Sequence, residues 1–207
     1  MSKYRTPQEE FWAGDFGKDY IERNQSDQLL ASNLNFFSKI LRNTQTLKST
    51  IEFGANIGMN LRALKLLQPN IEPFGIEINA EAVSKLQKFI GKENVFEGSI
   101  FDFSGSRKFD LSFIKGVLIH INPDLLDIVY QKLYDSSSRY ILIAEYYNPS
   151  PVTLSYRGHE DRLFKRDFAG EMLAKYKDLE LKDYGFAYRK DPLFPQDDIT
   201  WFLMEKR

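Results

Sequence analysis

The sequence predicts an α/β fold, a seven-stranded and mostly parallel Rossmann-like sheet closed by a terminal antiparallel hairpin and preceded by a helical N-terminal extension. Three observations carry this. From residue 50 to residue 144 short apolar runs alternate with amphipathic stretches, as βαβ units do. The first run ends in a glycine-bearing turn, Gly54-Ala55-Asn56-Ile57-Gly58. The last two runs, 179–188 and 199–205, are joined by a Pro-containing loop with no helical stretch between them, so they read as an antiparallel pair.

Each element has its own reason. Leu29, Leu30, Leu34, Phe37, Ile40 and Leu41 recur at helical spacing, and residues 7–42 read as helical with Asp27 near an N-cap. Residues 50–54 form a short buried strand, and 60–67 a helix stopped by Pro69. A second strand, 72–78, precedes a helix over 80–90 with Gly91 at its C-terminal side. Strands follow at 94–97 and 109–115, then a helix over 123–134 with Pro123 in its first turn, then a strand at 140–144. Asn148-Pro149-Ser150-Pro151 breaks the alternation, and 168–176 reads as a last helix. The expected organisation is one domain over 1–207, with a helical lid (1–48), a cofactor-binding core (49–147) and an acceptor loop, helix and hairpin (148–207).

Composition narrows the partners. Twenty-eight Lys and Arg against 29 Asp and Glu make no field for a bulk polyanion, so no nucleic acid is expected. The absence of Cys excludes disulfides, Cys-ligated zinc and iron–sulfur clusters. Two His among scattered carboxylates show no zinc spacing, and no metal is expected. No stretch approaches the roughly 20 apolar residues of a membrane span, and no apolar run follows the first residues. The expectation is a cytoplasmic protein without membrane insertion.

Four motifs at strand ends compose a candidate ligand site, since ligands sit there in open α/β sheets. In the first, Gly54 permits a sharp turn and close ligand approach, and Gly58 lets the next helix start against the sheet. Asn56 replaces the middle glycine of a dinucleotide fingerprint, making a poor pyrophosphate cradle but an acceptable one for the methionine moiety of S-adenosylmethionine. Glu52 is a candidate acceptor for the cofactor ammonium, and Asn60 begins the following helix. In the second, Glu77 before Ile78 can take both ribose hydroxyls; the alternative is a solvated or capping charge. In the third, Ser99, Ile100 and Asp102 suit an adenine, Asp102 accepting from the exocyclic amine or merely capping a turn. In the fourth, Lys115, Gly116 and Val117 line the methionine and sulfonium region. A terminal hairpin after such units is the arrangement of the class I methyltransferase sheet.

Longer strings point further. Residues 11–24, FWAGDFGKDYIERN, resemble the opening of the pseudaminic acid biosynthesis-associated methyltransferases, as do 156–171, YRGHEDRLFKRDFAGE, and 195–202, PQDDITWF. The resemblance implies a class I fold, S-adenosylmethionine as methyl donor, and an association with nonulosonic acid or surface glycan synthesis, without an assigned acceptor.

Methyl transfer from a sulfonium needs positioning, water exclusion and, for a protonated acceptor, a base. His120 faces the expected cofactor mouth, and His159 lies in a polar loop; both are candidate bases or structural residues. Tyr146 and Tyr147, after Glu145 at the end of the fifth strand, are candidates for the acceptor pocket, Tyr147 with a catalytic role. Tyr156, Arg157, Arg162, Lys165 and Arg166 are candidate contacts to an anionic or sugar-like acceptor, or else a solvated loop. Trp12, Tyr20 and Arg23 are candidate lid residues over the cofactor. Two other functions fit less of this pattern: a nicotinamide-dependent sugar oxidoreductase, and a non-catalytic cofactor-binding regulator or scaffold.

Overall fold

The computed structural model describes residues 4–156 and 159–207, and for residues 156 and 159–162 only the backbone. The main sheet has seven strands: β1 (Ser49–Phe53), β2 (Glu72–Glu77), β3 (Val95–Glu97), β4 (Phe109–Lys115), β5 (Ser137–Glu145), β8 (Leu179–Ala187) and β9 (Ile199–Lys206). Their spatial order is β3-β2-β1-β4-β5-β9-β8. The first five pair in parallel, whereas β9 runs antiparallel between β5 and β8. The order reverses between β1 and β4, which opens a crevice at their C-terminal ends.

Strand parity sorts the core onto two faces. Ile51, Phe53, Ile114, Ile141 and Ile143 pack with α6 (Leu126–Ser136) and α7 (Phe168–Lys175). Leu111, Phe113, Leu142 and Leu203 pack with α3 (Asp27–Leu41) and α4 (Met59–Leu67), joined by Leu86 of α5 (Ala80–Ile90). Glu52 and Lys115 fall on the second face by the same alternation.

The helical extension is three helices where one continuous stretch is expected: α1 (Pro7–Ala13), α2 (Asp15–Arg23) and α3. Gly14 takes an extended conformation and separates the first two. Ser26 caps α3 by accepting from Leu29 N, so Asp27 is the first helical residue and not the cap. The helix expected from Pro123 opens with a 3-10 turn, Pro123–Leu125, before α6. β5 begins at Ser137, earlier than expected.

The largest departure is at 148–167. The expected acceptor loop is an antiparallel hairpin, β6 (Val152–Tyr156) with β7 (His159–Lys165), outside the main sheet. Leu163 and Phe164 are buried on it, but the charged residues around them obscure the strand alternation. Among the described residues no helix is long and apolar enough to cross a membrane.

Candidate active site

A cavity of about 500 Å3 opens at the C-terminal ends of β1, β2 and β4, under the N-terminal helices. The turn after β1 is its floor. Gly54 has φ +78°, and a Cβ there would stand 2.6 Å from Val117 Cγ2, so only glycine lets the two loops meet. Asn56 is left-handed at φ 48°, which Asn tolerates better than most residues. Gly58 is left-handed too, but a Cβ on it would meet Leu86 Cδ1 at 2.7 Å. It serves the close approach of α4 to α5 and does not line the cavity.

Glu77 is locked at the end of β2. One carboxylate oxygen accepts from Asn56 N at 2.7 Å, and the other from Ile78 N at 2.9 Å and Asn79 N at 2.8 Å. Burial raises its pKa against the pull of these amides. A carboxylate offers about four acceptor positions, so capacity remains toward the cavity that Glu77 lines. Ile78, Ser99 and Ile100 continue this wall. Ser99 Oγ also accepts from Phe101 N. Asp102 stands outside the wall, ion-paired at 2.6 Å with Arg5.

The N-terminal helices are held over the cavity by residues that sequence reasoning missed. Asn79 caps α5 through Oδ1, while its Nδ2 reaches the carbonyls of Trp12, Ala13 and Gly14 at 3.3, 3.4 and 3.4 Å. A Cβ on Gly17 would lie 2.0 Å from Trp12 O, so α2 depends on glycine for this approach. The Thr6–Glu9 capping box starts α1, and both residues line the cavity; its spacing was a readable signal. Trp12, Tyr20 and Arg23 also line the cavity, with the Trp12 ring 4.8 Å from His120 and 5.3 Å from Tyr20.

The opposite wall carries Asn60, Lys115, Gly116, Val117, His120 and Tyr146, with Asn33 and the β8–β9 loop residues Gln196 and Asp197. Asn33 gave no local signal, and the string 195–202 drew attention to Gln196 and Asp197 without assigning them a place in the cavity, because each arrives from a segment distant in sequence. Glu52 lies beneath this wall, accepting from Asn60 Nδ2 at 2.6 Å, and its second oxygen has no hydrogen-bond partner among the described residues. Burial pushes its pKa up to about 8, opposed by Asn60 and Lys115. Burial also lowers the pKa of Lys115.

Several candidates point elsewhere. Glu145 does not line the cavity: its Oε1 accepts from Val117 N and Leu118 N, both at 2.9 Å, and holds the loop after β4. Burial outweighs those amides and raises its pKa to about 7. Tyr147 faces away, 41% exposed, with its ring 5.8 Å from Phe202. Arg166 pairs with Glu171 at 2.5 Å, and Glu171 also accepts from Tyr130. Lys165 sits 5.2 Å over the Tyr146 ring, behind the cavity wall. The side chains of Tyr156, His159 and Arg162, and all of Arg157, lie outside the described residues.

No protein-family model and no curated protein sequence matches this chain. Solved structures do. An S-adenosylmethionine-dependent methyltransferase from Clostridium acetobutylicum is 12% identical with a TM-score of 0.64, over 92% of this chain and 97% of that one. The 1,6-didemethyltoxoflavin-N1-methyltransferase of Burkholderia thailandensis, bound to 1,6-didemethyltoxoflavin and S-adenosylhomocysteine, is 13% identical with a TM-score of 0.71, over 100% and 92%. The magnesium protoporphyrin IX methyltransferase of Synechocystis, bound to S-adenosylhomocysteine, is 14% identical with a TM-score of 0.65, over 96% and 97%. The chain therefore has the Rossmann-like fold of S-adenosylmethionine-dependent methyltransferases.

Proposed function

We propose that this protein is an S-adenosylmethionine-dependent methyltransferase acting on a small molecule. The observation that carries the reading is Glu77, a cavity-wall carboxylate fixed by three backbone amides and suited to a ribose diol. The residues present fit the cofactor. Gly54 leaves room that a Cβ would fill, and Glu52 beneath the wall and Asn60 in it each keep a buried oxygen without a hydrogen-bond partner among the described residues. In this reading Glu77 holds the ribose, and Ser99 and Ile100 flank the base. Gly54, Asn56 and Gly116 shape the methionine channel, and Glu52 offers its spare oxygen as an acceptor to the ammonium from below. Trp12, Tyr20 and Arg23 close over it. Bound there, S-adenosylmethionine supplies an activated methyl group.

The chain's own task is then to orient the acceptor and exclude water. In this reading His120, buried against Trp12 on the cavity wall, takes a proton from a hydroxyl or amine acceptor. The strings resembling the pseudaminic acid-associated methyltransferases support a sugar-like or anionic acceptor in surface glycan synthesis. Isothermal titration with S-adenosylmethionine, S-adenosylhomocysteine and NAD tests the cofactor. Saturable binding of both adenosyl compounds and none of NAD is expected; NAD binding alone would return the oxidoreductase reading.

A further inference from the structure

Resting on the methyltransferase reading, we propose that Lys115 and the side-chain amide of Asn33 form a recognition subsite for a carboxylate group on the methyl acceptor. Lys115 ends β4 in the cavity wall. Its only hydrogen bond goes to Asn33 Oδ1 at a long 3.5 Å, its other close neighbour is the Phe36 ring at 5.5 Å, and it forms no ion pair among the described residues. An ammonium carries three donors and no acceptor, so donors remain to be used in the cavity.

Asn33 is oriented by its neighbours. Lys115 can only donate, so the amide must present its oxygen there, and that oxygen also accepts from Gln196 Nε2 at 2.9 Å. Its Nδ2 is thereby turned away and makes no hydrogen bond among the described residues, although Asn33 is 1% exposed. Gln196 is itself buried, on a loop tied to α3 by Gln28 Nε2 and Leu193 O at 2.7 Å. A partly buried ammonium and a buried amide, both with spare N–H groups, call for an acceptor-only partner with negative charge.

Nearby acids do not cancel this charge. Glu52, Asp197 and Glu145 attract Lys115 only through space. Burial raises the pKa of Glu52 and of Glu145, which weakens their pull on Lys115, and Glu145 is already engaged by the Val117 and Leu118 amides. Asp197 is exposed at the mouth, where solvent screens it.

The rival partner for Lys115 is the amino-acid carboxylate of the cofactor, and the test separates the two. S-adenosylhomocysteine is titrated into the wild type and into Lys115→Gln and Lys115→Arg, each checked for an intact melting transition. Benzoate and its neutral isostere benzamide are then titrated into the protein saturated with S-adenosylhomocysteine. The expected result is saturable benzoate binding without benzamide binding, weakened at least about tenfold in Lys115→Gln and retained in Lys115→Arg, with S-adenosylhomocysteine affinity within about threefold throughout. A Lys115→Gln protein that loses S-adenosylhomocysteine affinity about tenfold would assign Lys115 to the cofactor and overturn the proposal. No benzoate binding to the loaded wild type, or equal binding of benzamide, would also overturn it. Failure of the wild type to bind S-adenosylhomocysteine would instead remove the methyltransferase reading on which the subsite rests.

Discussion

At the β2 end of the cavity, Glu77 has both oxygens held by backbone amides from one turn and the loop beside it. At the β4 end, Lys115 has one long bond to a side chain of α3, which a third segment, the β8–β9 loop, holds in place. The first pole is made by local backbone geometry, and its carboxylate is held by three amides of the chain itself. The second is made by side chains from three distant segments, and its hydrogen bonds are incomplete. If the first pole seats the cofactor and the second the acceptor, as proposed, one fold can keep the former fixed while the latter varies with a few side chains.

The contrast can be broken most severely at the fixed pole. Gly54→Val should lower S-adenosylhomocysteine affinity by about 100-fold, or about 2.7 kcal/mol, because its Cβ meets Val117 and its φ is left-handed; calorimetric affinity within about threefold of wild type would refute a rigid floor. Glu77→Ala removes the acceptor for three amides, and each orphan costs about 1–3 kcal/mol if it stays dry. A fall of at least about 5 °C in melting temperature is expected, together with weaker cofactor binding.

Smaller effects sharpen the boundary between the poles. Gly17→Ala should displace α2 from Trp12 O and weaken cofactor binding about tenfold, with little change in circular dichroism. Glu52→Gln tests the acid beneath the Lys115 wall. Its folded pKa, about 8, lies above its ordinary 4.5. The native state therefore binds the extra proton between these values, and stability falls as pH rises through the folded pKa. Melting curves at pH 5 and pH 9 should show Glu52→Gln gaining on wild type at the higher pH, by about 3 °C or more. Arg166→Ala, far from both poles, should cost about 1 kcal/mol through Glu171 and leave S-adenosylhomocysteine affinity unaltered.

The same contrast explains what was legible. Gly54, Asn56, Glu77 and Ser99 act through turns a few residues long, so their spacing along the chain revealed them. The alternation of apolar runs with helical stretches likewise revealed a parallel core, and the final hairpin stood out because no helix separates β8 from β9. Asn33, Gln196 and Asp197 are brought together only by the packed fold. Tyr147 and Arg166 looked suitable by chemistry, but the alternation after β5 turns Tyr147 to the outer face, and Glu171 claims Arg166. The β6–β7 hairpin was hidden because its charged residues resemble a solvated loop.

Asn79 has a consequence in time rather than in affinity. The same amide side chain that starts α5 also holds the last carbonyls of α1, through three contacts at the long end of the hydrogen-bond range. Swinging α1 away sacrifices little enthalpy, and water can replace each contact at once. In the proposed methyltransferase this latch would set how long a spent cofactor stays under Trp12, and Asn79 would tune turnover without touching any atom that reacts.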